Sequence, residues 1–168
     1  MQLSTRIVMT GAAFAALAAP AAAQSIDLTV TIPRLSVAEY HRPYVAIWLE
    51  KTGAPAKTLA VWYDHDMRDN EGTKWLRDVR QWWRASGRGL SFPADGITGA
   101  TKAPGTHTVS LGMGAMTPGD YTLLVEAARE VGGRELVKLP FSWPPKPGQS
   151  ASAAGSTELG AVSATFKR

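Results

Sequence analysis

The chain consists largely of short segments in which apolar and polar residues alternate, with turns rich in glycine and proline between them. In Ser25–Ile32 nearly every second residue is apolar, which is typical of a strand with one buried face. Further segments predict strands in the same way: Tyr44–Glu50, Lys57–Tyr63, 106–111, 120–130, 134–141 and 157–166. Many short strands joined by turns predict a mainly β fold, an immunoglobulin-like antiparallel β-sandwich.

One stretch departs from this pattern and predicts a helix. Over residues 73–85 large apolar side chains recur at helical spacing: Trp75, Val79, and Trp82 or Trp83. With Thr73 as a cap and Gly87 as the stop, the stretch predicts about three turns of α-helix inserted between strands. Residues 143–155 are rich in Pro, Gly, Ser and Ala, and they predict an irregular loop.

The first 23 residues have the pattern of a secretory signal peptide. Arg6 precedes an apolar run over 7–19, and three alanines end the segment at Ala23. We expect cleavage after Ala23, because the apolar run is too short to span a membrane. An uncleaved anchor is the alternative. Residues 24–168 then form a single domain with no membrane span.

Composition narrows the classes of function. The chain has no cysteine, so neither a disulfide nor a thiolate metal site is available. Its net charge of +4 comes from scattered basic residues, and this does not resemble the basic patch of a nucleic-acid-binding protein. Together with the signal peptide, these features predict a periplasmic protein.

Several of these segments resemble a known family. The chain is similar to bacterial periplasmic proteins with a DUF2271 domain over residues 42–50, 57–62, 75–84, 95–101 and 118–130. The resemblance implies a fold like the small immunoglobulin-like domain of flagellar hook-capping proteins. It also implies a link to PepSY-type membrane reductases and to iron-uptake receptors. The acidic turn that many members carry before their Pro-Gly-x-Tyr strand is missing from residues 110–116.

Residues 95–101 also resemble the target of periplasmic flavin transferases, Asp-x-x-Ser/Thr-Gly-Ala-Ser/Thr. The chain matches each fixed position, with Asp95, Thr98, Gly99, Ala100 and Thr101. The resemblance implies that the final hydroxyl, on Thr101, carries FMN through a phosphoester. The alternative is a glycine-rich turn between strands.

The residue types suit that modification. The acceptor hydroxyl must enter the transferase and meet the phosphorus of FAD, where metal ions neutralise the developing charge. Gly99 and Ala100 give a thin backbone that can enter another active site. Asp95 can hold the loop by bonding backbone amides.

Tryptophans and arginines are the other candidates around a flavin. Trp48 and Trp62 lie on predicted strands and are expected in the core. Trp82 and Trp83 cannot share one helical face, so one of them can stack on the flavin. Arg42 and Arg129 can bind a phosphate or the anionic edge of the flavin, or else pair with a nearby acid, of which Glu50, Glu126 and Glu130 are candidates.

The sequence therefore predicts a periplasmic redox carrier with FMN on Thr101. A PepSY-type membrane reductase would supply electrons, and ferric iron or another protein would accept them. The first alternative is a binding module without a cofactor. The second is a metal-binding protein that uses His65 with its acidic neighbours, Asp64, Asp66 and Asp69.

Overall fold

The computed structural model describes residues 24–168, so the predicted signal peptide and its cleavage after Ala23 lie outside the described residues. The domain boundaries stay a prediction. The described strands are β1 (Ser25–Ile32), β2 (Tyr44–Glu50), β3 (Lys57–Tyr63), β4 (Thr98–Ala100), β5 (Gly105–Gly112), β6 (Gly119–Ala128), β7 (Arg134–Trp143), β8 (Ser150–Ala154) and β9 (Ala161–Lys167). A helix, α1 (Arg80–Ala85), and two 3-10 segments, Arg68–Asp78 and Gly87–Gly89, lie between β3 and β4.

The strands form two sheets, which confirms the predicted fold class of a β-sandwich with a short helix. The four-stranded sheet has the order β5-β1-β9-β8, and the five-stranded sheet has the order β4-β3-β2-β6-β7. Paired strands are antiparallel except for β3 and β4, which run parallel with Tyr63 opposite Ala100. Residues 150–154 form strand β8 rather than part of an irregular loop, because they pair with β9.

The main core, here called the inner core, lies between the two sheets. Alternate residues of β1 point into it, from Ile26 to Ile32, and β9 contributes Val162, Ala164 and Phe166. The rings of Phe141 and Phe166 stack with centroids 4.0 Å apart, so the two sheets are in direct contact at that end. The two-residue period read from the sequence is the cause, since it turns every apolar residue of these strands to one side.

A second core, here called the outer core, covers the opposite face of the five-stranded sheet. Both faces of β2 and β3 are buried, because the segment between β3 and β4 folds over them. Its buried members are Tyr44, Ala46, Trp48, Val61, Tyr63, Leu76, Val79, Trp82, Leu124 and Ala128. Trp48 belongs to the outer core and Trp62 to the inner core, so the prediction that both are core residues is confirmed.

The predicted three-turn helix over 73–85 is wrong in length and in kind. Residues 68–78 form 3-10 turns, Asp69 and Asn70 have a left-handed backbone, and only Arg80–Ala85 is α-helical. The Thr73 hydroxyl donates to the carbonyl of Asn70 and caps no helix. The backbone of Val79, with φ −78° and ψ 72°, is not helical and separates the 3-10 segment from α1. Just before the predicted helix the chain packs closely, since a Cβ atom on Gly72 would lie 2.1 Å from the carbonyl oxygen of Asp64.

The first turn of α1 is held by an acid of the sheet. The carboxylate of Glu126, which is fully buried on β6, accepts the backbone N–H groups of Gln81 and Trp82 at 2.8–3.1 Å. Arg134 adds an ion pair at 2.7 Å. These donors compensate for the loss of water around a buried charge. Among residues 24–168, no helix is long and apolar enough to cross a membrane.

Candidate functional site

A cleft of about 1020 Å³ opens at one end of the five-stranded sheet, where β3 and β6 end and β2 begins. Its size is in the range of small-molecule and cofactor sites. Aromatic residues line part of it: Tyr40, Tyr44 and Trp75. The charged lining consists of four arginines, Arg42, Arg80, Arg129 and Arg134, and three acids, Asp64, Asp78 and Glu130. The cleft therefore offers flat apolar surface together with arginine donors, of which Arg129 and Arg134 are paired with the buried acids Glu158 and Glu126.

Thr101 lies in the wall of this cleft, at the end of β4. Its hydroxyl donates a hydrogen bond of 2.9 Å to Oδ1 of Asp64, and the residue is only 8% exposed. The parallel pairing of β3 with β4 causes the contact, since Tyr63 opposite Ala100 brings the following residues together. The hydroxyl oxygen is thus held in one orientation by a carboxylate that accepts its hydrogen bond.

The rest of the flavin-transferase motif lies on an edge strand and the turn before it, not on a flexible loop. Thr98, Gly99 and Ala100 form β4, which pairs with β3 on one side only. The Thr98 hydroxyl accepts the backbone N–H of Ala94 at 2.8 Å and so closes the turn that contains Asp95. Of the motif residues, Thr101 alone lines the cleft.

Gly99 is required by its packing. A Cβ atom at this position would lie 2.9 Å from Cδ1 of Trp62, closer than such contacts occur in proteins. The next residue, Ala100, is exposed and faces away from that ring. The small residues of the motif therefore have a structural use in this fold, which is independent of any modification.

The structure places Trp82 and Trp83 away from Thr101. Trp82 is fully buried in the outer core, and its indole N–H donates to the Thr58 hydroxyl at 2.9 Å. Trp83 packs beside it with ring centroids 6.0 Å apart and is half-buried. Neither lines the cleft, whereas Trp75 does and is 36% exposed. Trp75 is the tryptophan available to a ligand bound beside Thr101.

Arg129 forms a buried ion pair with Glu158, an acid that no local pattern in the sequence singles out. Its Nε and Nη2 atoms donate to Glu158 at 2.8 and 3.2 Å, and both side chains are more than nine-tenths buried. Glu158 also accepts the N–H of Gly133 at 2.8 Å. Glu50, Glu126 and Glu130 were the expected partners, but the chain folds so that the loop before β9 supplies the acid.

Two buried polar atoms beside this pair have no partner among residues 24–168: Nη1 of Arg129 and the hydroxyl of Tyr40. The Arg129 guanidinium lies 5.8 Å from the centroid of the Tyr40 ring, so the two groups are neighbours. An unpaired donor that is shielded from water costs about 1–3 kcal/mol. Both residues line the cleft, and an acceptor on a bound ligand is the partner that the cleft can offer them.

Tyr44 lies at the base of the cleft and remains a donor. Burial, with a smaller contribution from the Asp64 carboxylate, raises the pKa of the Tyr44 hydroxyl to about 12. The hydroxyl donates to the carbonyl of Gly72 at 3.1 Å, and this bond joins the 3-10 segment to β2. Tyr44 therefore acts as a fixed wall of the cleft and not as a proton donor in chemistry near neutral pH.

The residues considered as metal ligands do not share one site. Nδ1 of His65 contacts Asp66 at 2.9 Å, while the Asp64 carboxylate accepts the Thr101 hydroxyl. Within residues 24–168, no cluster of three or more His, Asp or Glu side chains is placed to hold a metal ion. Arg42, the other arginine considered for a phosphate, is exposed at the rim of the cleft.

No curated protein and no solved structure matches the chain. The family model for DUF2271, described as a predicted periplasmic protein, matches residues 25–161. That description agrees with the export expected from the first residues of the sequence. Because the match covers nearly all the described structure, the chain belongs to the DUF2271 family of predicted periplasmic proteins.

Proposed function

We propose that the protein is a periplasmic redox carrier that holds FMN as a phosphoester on Thr101. The observation that carries this proposal is the position of the Thr101 hydroxyl, which ends a flavin-transferase motif and lies in the wall of a cleft of about 1020 Å³. When bound, FMN supplies one- and two-electron transfer, while the protein supplies attachment, shielding and a docking surface.

The residues of the cleft fit such a group. Trp75 and Tyr44 offer apolar faces for a flat ring system, and nearby arginines offer positive charge for a phosphate. The unpaired donors of Tyr40 and Arg129 fit a ligand with several acceptor atoms. Because the walls include the outer-core residues Tyr44 and Ala128 and the 3-10 segment that Tyr44 holds, the cleft is largely formed before any ligand enters.

The attachment reaction is a phosphoryl transfer from FAD, catalysed by a separate flavin transferase. The Thr101 oxygen attacks the phosphorus on the flavin side, the new P–O bond forms, and the anhydride bond to AMP breaks. AMP leaves with the bonding electron pair, and a base takes the hydroxyl proton. Asp64 assists this step because it accepts the hydrogen bond of the Thr101 hydroxyl and so orients its oxygen.

Access to a hydroxyl that is only 8% exposed requires local opening of the chain. Strand β4 is suited to this, because it pairs over only three residues and has a free edge. Short edge segments open at lower cost than the centre of a sheet. We therefore expect the transferase to reach Thr101 by a local opening at the free edge of β4 that leaves the hydrogen bond to Asp64 in place.

Electrons would enter from a PepSY-type membrane reductase and leave to ferric iron or to another protein. The apolar rim of the cleft supports docking of such a partner: Met67, Trp75 and Val131 are exposed and line the cleft. The same rim is the observation that favours the rival function, a cofactor-free binding module.

Intact mass decides between the two functions. The mature protein would be co-expressed with a periplasmic flavin transferase that is shown to modify a control substrate. We expect a gain of one FMN minus water, located on the peptide that contains Thr101. An unmodified mass alongside a modified control would reject the flavin carrier and favour the binding module.

A further inference from the structure

We propose that Arg129 and Tyr40 form an anion-binding subsite of the cleft, which holds the negative charge gained by the flavin ring on reduction. The inference rests on the proposed attachment of FMN at Thr101. It concerns a different end of the cleft and a different part of the ligand, and Arg129 and Tyr40 would be positioning residues for the redox step.

The Arg129 guanidinium is held in place with one of its nitrogens unpaired. Glu158 fixes two of its nitrogens, and a Cβ atom on Gly132 would lie 2.4 Å from its central carbon. The group therefore cannot turn to find another acceptor for Nη1. A guanidinium that is held in place with one buried nitrogen unpaired is preorganised for an oxygen or nitrogen acceptor that arrives with a ligand.

Tyr40 is a neighbour of this guanidinium and carries a second donor, its hydroxyl. The Tyr40 hydroxyl is also buried and unpaired. Burial, against smaller opposing effects from Arg129 and other charges, raises the pKa of Tyr40, so the hydroxyl keeps its proton and can donate it in a hydrogen bond. Two donors on neighbouring side chains, with the guanidinium 5.8 Å from the centroid of the Tyr40 ring, match an anion that is spread over adjacent atoms. The edge of a reduced flavin ring is such an anion.

The distance between Thr101 and Arg129 fits the length of a flavin attached at Thr101. Thr101 follows β4 and Arg129 follows β6, with β3 and β2 between them in the sheet. Three strand spacings separate the two residues by about 14 Å. The ribityl linker of FMN spans about 9 Å when extended at ordinary single-bond lengths, and the fused rings add several ångströms. A phosphoester on Thr101 thus places the ring, and not the phosphate, within reach of Arg129.

The effect on redox chemistry follows. Two electrons and one proton convert the oxidised ring to its reduced monoanion, the electrons coming from the membrane reductase or from dithionite in the test. Because Arg129 is already paired with Glu158, the stabilisation comes from two hydrogen-bond donors, its unpaired Nη1–H and the Tyr40 hydroxyl, which favour the reduced form over the oxidised form. Arg129 and Tyr40 therefore raise the midpoint potential of the carrier.

The test compares flavin-bearing proteins whose modification has been verified by mass. The cleft variants are Tyr40→Phe, which removes only the hydroxyl, and Arg129→Lys, which keeps a charge for Glu158. The matched controls are Tyr121→Phe and Arg88→Lys, whose side chains lie outside the cleft. We expect each cleft variant to disfavour reduction by about tenfold, or about 30 mV for a two-electron couple, and the controls to match the wild type.

The outcomes separate the two proposals. An unmodified mass overturns the flavin carrier and this inference together. A normal mass with unchanged potentials in Tyr40→Phe and Arg129→Lys overturns the inference alone. A phosphate subsite would appear as a rise in melting temperature when inorganic phosphate is added to the unmodified wild type but not to Arg129→Lys, and this too would overturn the assignment to the ring. If Arg129→Lys does not fold, Tyr40→Phe decides.

Discussion

The hydroxyl of Thr101 donates a 2.9 Å hydrogen bond to Asp64, a residue 37 positions earlier in the chain. The contact exists because β3 and β4 run parallel and end together at the mouth of the cleft. It joins the last residue of the flavin-transferase motif to an acid that the motif does not contain. The acceptor oxygen is thereby oriented before any transferase is present.

The identity of the acceptor is tested first by substitution. Thr101→Val should abolish FMN attachment, because it removes the only motif oxygen in the cleft wall, and Thr101→Ser should retain it. Thr98→Val should reduce attachment less, since the Thr98 hydroxyl closes a turn. Intact mass and visible absorbance measure both effects. Full modification of Thr101→Val would move the acceptor elsewhere.

Asp64 should control the rate of attachment and not its site. Asp64→Ala removes the acceptor of the Thr101 hydrogen bond, and we expect the initial rate of modification to fall by about tenfold. Asp64→Asn keeps an acceptor oxygen and should recover much of that rate. Asp66→Ala is the matched control, because that acid contacts His65 instead. Equal rates in Asp64→Ala and Asp66→Ala would show that orientation by Asp64 is unimportant.

Substitution of Trp82 should mainly lower the stability of the fold, and substitution of Trp75 should mainly change the fluorescence of the flavin. Trp82→Ala empties a fully buried site and should lower the free energy of unfolding by about 3–5 kcal/mol. Trp75→Ala should cost less than about 1 kcal/mol, because its side chain is partly exposed. In the flavin-bearing protein, Trp75→Ala should increase flavin fluorescence through the loss of a stacking quencher.

The control for that comparison is Trp83→Ala, which changes a half-buried tryptophan outside the cleft. Urea unfolding gives the stabilities, and steady-state emission gives the quenching. If Trp83→Ala increased the flavin fluorescence and Trp75→Ala did not, the ring would lie nearer to α1 than we propose.

Glu126 should be essential to the position of α1. Glu126→Gln replaces a buried carboxylate by an amide whose N–H₂ group must face either the N–H groups of Gln81 and Trp82 or the guanidinium of Arg134. We expect a loss of about 3 kcal/mol in the free energy of unfolding. Hydrogen exchange at Gln81 and Trp82 should accelerate. Glu130→Gln, at an exposed position, should leave both measurements nearly unchanged.

Glu135 should give the fold a dependence on acid pH. Burial raises its pKa, but the N–H groups of Leu159, Ser156 and Thr157 outweigh this and lower the pKa from 4.5 to about 2. A lowered pKa stabilises the fold fully above about pH 4.5, and the contribution is lost as the pH falls toward 2. Because the group is partly exposed, we expect about 2 kcal/mol.

Urea titrations across that pH window measure this contribution. Glu135→Gln should be less stable than the wild type at neutral pH, and the difference should shrink as the solution is acidified. Glu39→Gln changes an exposed acid outside this loop and should show a constant, small difference. A constant difference for Glu135→Gln as well would contradict the lowered pKa.

Much of the fold follows from the order of residues. A strand exposes alternate side chains to opposite faces, so the two-residue period of β1 and the patterns of β2, β3, β6 and β7 locate these strands to within about two residues. The turn residues between them specify many short strands, and this pattern is sufficient for a β-sandwich. The motif over 95–101 can also be read directly, because its residues are consecutive.

The order of residues does not determine which distant side chains come into contact. The helical spacing of Trp75, Val79 and Trp82 is real, but the non-helical backbone of Val79 interrupts the helix there. Likewise β4 is too short to predict from its own three residues, because its stability comes from pairing with β3.

The candidate site depends on contacts between residues that are distant in the chain. The pairs Thr101–Asp64 and Arg129–Glu158 join residues 37 and 29 positions apart. Local propensity carries no information at that separation, since the contacts arise only when strands align and loops close. The sequence by itself determined the strands, the β-sandwich and the motif ending at Thr101. Only the tertiary structure decided that Thr101 faces a cleft, beside Asp64 and together with Trp75, Tyr40 and Arg129.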